Sequence, residues 1–204
     1  MRDLDKALSE ISAIRGQIAR GTEFQGYGPA TLAATGVLAL AAAVAQSAWL
    51  PDPAAAMTAY LALWAATAAL SVGVIALETV TRTKRVHSSL AQEMILSAAE
   101  HFLPAAVAGT ALTIVLWRVA PQALWLLPAL WQIVYSLGVF ASCRFLPRAM
   151  WIAGAWYMLT GLVCLWLSPG GGALSPWAMG LPYGVGQLLI AAILQASLRT
   201  SHDR

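Results

Sequence analysis

Charged residues are scarce in this chain. Asp, Glu, Lys and Arg make up only 10% of its 204 residues, whereas a soluble domain contains about 25%. So few charges cannot cover the surface of a water-soluble domain of this size. Apolar residues account for 59% of the sequence, and the mean hydropathy is +0.69. The composition therefore excludes a soluble globular domain and predicts an integral membrane protein.

The sequence also has few cysteines and lacks the common motifs of catalysis. Its two cysteines, Cys143 and Cys164, fall near opposite ends of predicted spans, and a bond between them would have to cross most of a ~30 Å hydrocarbon layer. We expect two free thiols, because a disulfide needs closely spaced Cα atoms. The chain contains no Walker loop, no Gly-x-Ser-x-Gly elbow, no dinucleotide fingerprint and no His-Glu-x-x-His motif. We therefore predict no cofactor and no metal site, and an enzyme is the least supported class.

Three long apolar runs dominate the rest of the sequence. They contain at most one charged residue each and cover residues 24–77, 102–143 and 149–198. A transmembrane helix needs about 20 apolar residues, so each run is long enough for two helices. Clusters of proline, glycine or a charged residue mark a turn near the middle of each run. We predict an all-α integral membrane protein with six transmembrane helices arranged as three hairpins.

The predicted chain divides into three parts. A cytoplasmic amphipathic helix with its linker occupies residues 1–28, a six-span domain occupies 29–198, and a cytoplasmic tail occupies 199–204. The spans are expected at about 29–49, 54–78, 98–118, 122–143, 148–168 and 176–198. Membrane β-strands are excluded because these segments are apolar on all sides and show no alternation of polarity.

The basic residues predict the orientation of the chain. Of its twelve Lys and Arg residues, all except Arg118 fall before span one, in the loops after spans two and four, or after span six. Because cytoplasmic loops are enriched in basic residues, both termini are predicted to be cytoplasmic. Ten Arg against two Lys, with abundant Ala, is typical of a GC-rich bacterium, so we expect the inner membrane. Topology and anionic lipid explain these charges, and no nucleic-acid partner is predicted.

Residues 2–20 are predicted to form an amphipathic helix. Its apolar stripe lies within about 120° of arc. The stripe includes Leu4, Leu8, Ile11, Ile14 and Ile18. A helix that lies on a membrane surface usually has a polar face rich in Lys and Arg, but this segment carries four basic residues and three acids. We therefore favour packing on protein, either its own domain, a second copy or a partner, over packing on lipid.

The loop between spans two and three is the longest predicted cytoplasmic loop. It opens with the basic residues Arg82, Lys84 and Arg85, which complete the candidate partner surface together with the apolar stripe. Ser89, with Gln92 three residues later, matches a capping box. A helix is therefore expected to begin near Ser89 and to continue into span three.

Glu100 and His101 are predicted to lie at or just inside the membrane boundary. Ionisable groups at that depth are costly and are candidates for function. Pro104 lacks the amide that would bond to the Glu100 carbonyl, so a carbonyl, a carboxylate and an imidazole would meet in a proton or cation site. The alternative, which we favour, is that both side chains reach the headgroups while Pro104 bends the helix.

Polar side chains also occur inside the predicted spans. They are Gln132, Tyr135 and Ser136 in span four and Gln187 in span six. Such side chains often form hydrogen bonds between helices, which is the simpler interpretation. The alternative is a polar pocket between spans four and six, widened by Pro128 and Pro182. A GxxxG pattern at residues 180–184 indicates close helix approach and is weak evidence for a homo-oligomer.

Three classes of function remain. The first, which we favour, is a non-enzymatic interaction or regulatory subunit, because the soluble sequence is predicted on the cytoplasmic side and the spans hold few ionisable groups. The second is a transport module, since the layout resembles exporter permeases that dock a separate ATPase; lipid or small-molecule handling belongs to this class. Ion-coupled transport is disfavoured because no carboxylate is expected near the middle of the membrane. The third is an intramembrane enzyme. Expected partners are membrane lipids and a cytoplasmic protein or a second copy.

Overall fold

The chain folds into a bundle of helices. The computed structural model describes residues 28–85, 89–144, 146–167 and 172–202, and no strand occurs among them. The helices are α1 (Pro29–Trp49), α2 (Met57–Arg85), α3 (Ser89–Val119), α4 (Leu127–Ser142), α5 (Met150–Leu167) and α6 (Pro176–His202). The predicted amphipathic helix over 2–20, with Leu4, Leu8, Ile11, Ile14 and Ile18, lies outside the described residues.

The apolar runs fold as the composition predicts. Six segments of 18 to 25 residues are long and apolar enough to cross a membrane, and the fourth includes the 3-10 turn Pro121–Leu126 that precedes α4. The prediction of an all-helical chain with six such helices is confirmed, and the helices are consistent with a multi-pass membrane protein. Helix α3 begins at Ser89, as the capping box predicts.

Several helices begin at a proline. Pro29, Pro128 and Pro176 stand at the first positions of α1, α4 and α6, where a missing amide leaves no helical hydrogen bond unmade. The start of α1 also lies against α2, because a Cβ on Gly28 would overlap the Glu78 carboxylate. A carboxylate is favourable at that position because the N-terminus of a helix carries partial positive charge.

The largest helix interfaces join helices that are distant in sequence or belong to different predicted hairpins. Helix α1 packs most extensively against α6, and α4 packs against α5. The contacts of α3 with α4, α1 with α2, and α5 with α6 are smaller. These contacts give the order α2–α1–α6–α5–α4–α3, with α2 and α3 at the edges. The arrangement as three membrane hairpins stays a prediction.

Glycines allow the close approach of α1 and α6. A Cβ on Gly36 would lie 2.9 Å from the Gly184 carbonyl oxygen, and one on Gly184 would lie 2.7 Å from the Leu40 side chain. A Cβ on Gly180 would overlap the Cβ of Ala43. Both glycines of the GxxxG pattern therefore contact α1 of the same chain. The pattern gives no support to a homo-oligomer, because its small residues already serve an interface within the bundle.

Two apolar clusters fill the interior. The cluster near the start of α1 includes Leu32, Met150 and Leu194. The cluster at the opposite end includes Tyr60, Trp64 and Leu127. Helix α2 enters this second cluster with its first two turns, while Leu70 and Leu77 farther along are 59% and 67% exposed. Within Ala99–Val119 of α3 no residue is buried, so α2 and α3 present long apolar surfaces outward.

Candidate functional site

A group of polar side chains lies between α4, α5 and α6, and we call it the polar cluster. Its members are Gln132, Tyr135, Ser136, Tyr157, Tyr183 and Gln187. The Gln187 side-chain amide donates a hydrogen bond to the Tyr135 hydroxyl at 2.9 Å. Gln132, one turn away from Tyr135 and Ser136 on α4, donates to the Ala178 carbonyl of α6 at 2.9 Å. The structure thus places Gln132, Tyr135 and Gln187 in polar contacts between α4 and α6.

Three tyrosine rings form the aromatic side of the polar cluster. The Tyr135 ring centroid lies 4.6 Å from that of Tyr157 and 5.6 Å from that of Tyr183. Tyr157 and Tyr183 lie 5.3 Å apart, and Phe102 of α3 lies 5.1 Å from Tyr135. Tilted and edge-on pairs at these separations are favourable ring contacts. The rings therefore pack on one another and tie four helices together.

A proline explains the hydrogen bonds of Gln132. Pro182 has no amide hydrogen, so the Ala178 carbonyl four residues earlier loses its helical donor. The Gln132 Nε2 group replaces that donor, and its second contact is the Pro128 carbonyl at 3.1 Å. The Pro182 carbonyl in turn accepts from Trp156 Nε1 at 2.9 Å. Pro182 thus couples α6 to both α4 and α5.

Two glycines make room for members of the polar cluster. A Cβ on Gly186 of α6 would overlap the phenol group of Tyr157. A Cβ on Gly161 of α5 would lie 3.1 Å from the Gln132 Cβ. Since any larger residue would displace these side chains, the positions of Tyr157 and Gln132 depend on glycine in the neighbouring helix.

Four members of the polar cluster hold a buried oxygen that has no hydrogen-bond partner among the described residues. These atoms are Gln132 Oε1, Ser136 Oγ, Tyr157 OH and Gln187 Oε1. Gln132, Ser136 and Tyr157 are fully buried and Gln187 is 8% exposed. Buried polar groups are nearly always paired in native proteins, so this concentration of two unpaired amide oxygens and two unpaired hydroxyls is unusual.

A different buried glutamine, Gln46 of α1, has no such deficit. Its Oε1 accepts a hydrogen bond from Trp64 Nε1 of α2, and its Nε2 donates to the Leu174 carbonyl, both at 2.8 Å. Sequence reasoning missed this residue, as it missed Tyr157 and Tyr183. The signal for Gln46 was available, because a lone amide inside an apolar span requires a partner.

Glu100 and His101 lie on α3, which is not one of the three helices that hold the polar cluster. Both residues are exposed on α3, and His101 Nδ1 lies 2.7 Å from the Ser97 carbonyl oxygen. The next residue, Phe102, contacts the Tyr135 ring of the polar cluster. No group of three metal-ligating side chains occurs within the part of the chain that the structure describes.

The two cysteines are separate, as the sequence predicts. Cys143 is half-buried just after α4, Cys164 is buried within α5, and the two form no disulfide. Burial raises the pKa of the Cys143 thiol. Since the thiolate is the reactive form, a raised pKa lowers the nucleophilicity of Cys143 near neutral pH.

No protein-family model, curated protein or solved structure matches this chain. Its function has to be inferred from its own residues. Besides the polar cluster, the described residues include a basic helix end, because Arg82, Lys84 and Arg85 form the last turn of α2. Arg199 is exposed near the end of α6. Arg82, Lys84 and Arg85 belong to the predicted partner surface, and Arg199 does not.

Proposed function

We propose that the chain spans a bacterial inner membrane six times, as three hairpins, with both termini in the cytoplasm. Six helices of suitable length and composition support this proposal, as does the predominance of basic residues at one set of helix ends. The exposed apolar side chains of α2 and α3, such as Leu70, Leu77 and Leu103, would face lipid tails. In water they would form a large unfavourable surface.

We further propose that the protein is a non-enzymatic interaction or regulatory subunit that binds a cytoplasmic partner. The observation that carries this proposal is the length of α2 and α3. They contain 29 and 31 residues, which corresponds to ~43 Å and ~46 Å at 1.5 Å per residue. A hydrocarbon core is only about 30 Å thick, so each helix exceeds it by about two to three turns.

The excess length falls on one side of the bundle. Helix α2 ends at Arg85 and α3 begins at Ser89, so the two helices extend beyond the lipid where they are joined. Helix α6, with 27 residues, ends at the same side because it runs parallel to α2 in a six-span chain. A helical extension whose last turn contains Arg82, Lys84 and Arg85 would suit an acidic protein partner by charge.

The alternative proposal is a transport module, either permease-like with a separate ATPase or specialised for lipids or small molecules. The polar cluster is the observation that favours it, because polar groups between helices are a typical feature of solute sites. Described charged residues of the six candidate spans lie towards the ends of those spans, at Glu78, Glu100, Arg118 and Arg199. This placement favours a neutral solute over an ion within that class.

Site-specific photo-crosslinking in living cells would test the interaction proposal. A photoreactive amino acid at Thr83, between the basic residues, is expected to give a discrete protein adduct, and the same probe at Ala54 in the opposite loop is expected to give none. Mass spectrometry then identifies the partner. A regulatory protein would support the interaction proposal, and an ATPase would support the transport module.

Charge variants provide the matched control. Arg82→Gln, Lys84→Gln and Arg85→Gln together are expected to reduce the Thr83 adduct at least tenfold, which corresponds to about 1.4 kcal/mol of binding free energy. Arg144→Gln with Arg148→Gln removes two exposed charges from the same predicted side and should leave the adduct unchanged. Equal adduct yields in both variants would contradict the proposal that the α2 end binds the partner.

A further inference from the structure

The two glutamines of the polar cluster form hydrogen bonds to protein only through their Nε2 groups. Gln132 uses its Nε2 group for the Pro128 and Ala178 carbonyls, which leaves Oε1 as an unused acceptor. Gln187 uses Nε2 for the Tyr135 hydroxyl, and its Oε1 is also unused. Two glutamines on facing helices thus point their donors at protein and keep their acceptors unpaired.

The Ser136 hydroxyl also has no hydrogen-bond partner among the described residues. Buried or half-buried helical hydroxyls elsewhere in the described chain, such as those of Ser71, Ser142 and Thr160, donate to the carbonyl four residues earlier at 2.8 or 2.9 Å. That bond is the usual solution for a serine or threonine inside a helix. Ser136 is fully buried but its hydroxyl has no such bond. Its hydroxyl is therefore available to another molecule.

The chemistry of the polar cluster defines what this molecule is. Two amide oxygens are acceptors only, so it must donate hydrogen bonds. The six side chains of the cluster carry no formal charge near neutral pH, so an ion would remain without a counter-charge in a medium of low dielectric constant. Because tyrosine rings and apolar core residues surround the polar cluster, the bound molecule must be small.

We propose that the polar cluster is a binding site for a small uncharged donor of O–H hydrogen bonds, held by Gln132, Ser136, Tyr157 and Gln187. Water and small polyols such as glycerol share this chemistry. The site goes beyond the proposed partner binding, since it lies among α4, α5 and α6 and not at the end of α2.

Gln46 is a matched control within the same chain. It is as deeply buried as Gln132, but both ends of its amide are paired with protein. A molecule bound in the polar cluster will contact Gln132 and Gln187 and will not contact Gln46. Any measurement that compares these three amides therefore separates a bound molecule from general water penetration into the bundle.

Solid-state NMR of the full chain in lipid vesicles would test the proposal. The protein is labelled with side-chain ¹⁵N-glutamine and reconstituted in deuterated phosphatidylcholine and phosphatidylglycerol. In one sample, proton magnetisation is transferred from water to the side-chain amides. In a second sample, the source is protonated glycerol in deuterated water. Gln46→Met, Gln132→Met and Gln187→Met each remove one signal and so assign it.

Transfer to Gln132 and Gln187 is expected to be several-fold faster than transfer to Gln46. A signal from water identifies water as the bound molecule, and a signal from glycerol identifies a polyol site; either result supports the proposal. Equal, slow transfer to all three amides in both samples would overturn it.

Ser136→Ala supplies a variant that keeps the packing. It removes a hydroxyl that bonds to no described residue, so the bundle should fold as before, and transfer to Gln132 should be partly lost. Thr160→Ala, which removes a hydroxyl already bonded to Trp156 O, should leave transfer unchanged. Full transfer to Gln132 in the Ser136→Ala protein would argue against a shared bound molecule.

Discussion

At the scale of single residues, buried amides decide which parts of the bundle are fixed. Gln46 joins α1, α2 and the turn before α6 with two hydrogen bonds of 2.8 Å. The Leu174 carbonyl that accepts one of them is 128 residues away in sequence. In an apolar surrounding such bonds have no competition from solvent, so they specify the packing of the helices strongly.

Replacing Gln46 by Leu should therefore destabilise the protein. The variant leaves the buried Trp64 Nε1 donor and the Leu174 carbonyl unpaired, and each unpaired group costs about 1–3 kcal/mol. Thermal unfolding in mild detergent, followed by tryptophan fluorescence, would measure the loss. Gln195→Leu, at an exposed position of α6, is the control and should unfold at the wild-type temperature.

The half-buried thiol gives a prediction about pH. Burial raises the pKa of Cys143, so its thiolate fraction at neutral pH is smaller than that of an exposed cysteine. Its alkylation by maleimide should be slower, and its rate should reach half of its maximum above the ordinary pKa of about 8.5. Alkylation rates in a Cys164→Ser protein, measured across pH, check this prediction.

A control protein carries Ala149→Cys in a chain without Cys143 and Cys164. The alkylation rate of this exposed cysteine should reach half of its maximum at the ordinary pKa. Coincident pH profiles for the two proteins would refute the effect of burial.

Sequence reasoning recovered only part of the candidate site at this scale. Gln132, Tyr135 and Gln187 stand out because amides and hydroxyls are rare in apolar spans. Tyr157 and Tyr183 did not stand out, because an aromatic residue in a span can face lipid tails, lie at the headgroups or pack in the protein core. Pro182 was recognised as a helix irregularity, but only coordinates reveal that Gln132 replaces its missing donor.

At the scale of the helices, length and composition predicted which segments are helical, and glycine residues determine which helices pack together. The apolar runs were sufficient to predict six helices, since each has room for two. The pairing of α1 with α6 depends on Gly36, Gly180 and Gly184, which remove side chains from the interface. A small-residue pattern predicts close approach but carries no information about the partner; here Gly180 and Gly184 contact α1 of the same chain, and a homo-oligomer stays a prediction.

Gly36→Ala should weaken the α1–α6 pair. The added Cβ would lie 2.9 Å from the Gly184 carbonyl oxygen, and backbone atoms cannot move aside as a flexible side chain does. We expect a loss of about 1–3 kcal/mol, as for other overpacked interiors. Gly73→Ala is the matched control, because no atom lies within 4 Å of its Cβ position; it should be neutral or slightly stabilising in α2. Equal stability of both variants would show that the interface is looser than described.

At the scale of the whole molecule, the unequal burial of the helices is the dominant feature. Half of the apolar segment of α6 is buried, whereas none of the segment of α3 is. A bundle with two such exposed helices at its edges is consistent with a multi-pass membrane protein. The composition of the sequence predicted this class, but it did not predict which helices would be central, because all six segments have similar hydropathy.

Cysteine accessibility would test the orientation in intact cells. In a chain with Cys143→Ser and Cys164→Ser, Ala54→Cys should react with a membrane-impermeant maleimide added outside. Ala149→Cys should react only after the cells are permeabilised. Both residues are exposed in the folded chain, so a difference reports the side of the membrane. Labelling of Ala149→Cys from outside would reverse the proposed topology.

The pairing of the first helix with the last has a consequence for biosynthesis. Helix α6 begins roughly 150 residues after α1 in the chain, and at ribosomal rates of about 5–20 residues per second its synthesis follows by about 7–30 seconds. During that interval the side of α1 that carries Gly36 lacks its α6 neighbour. Other contacts must therefore cover this side of α1 until α6 is made, and a ribosome that stalls before Pro176 leaves the bundle without its largest helix interface.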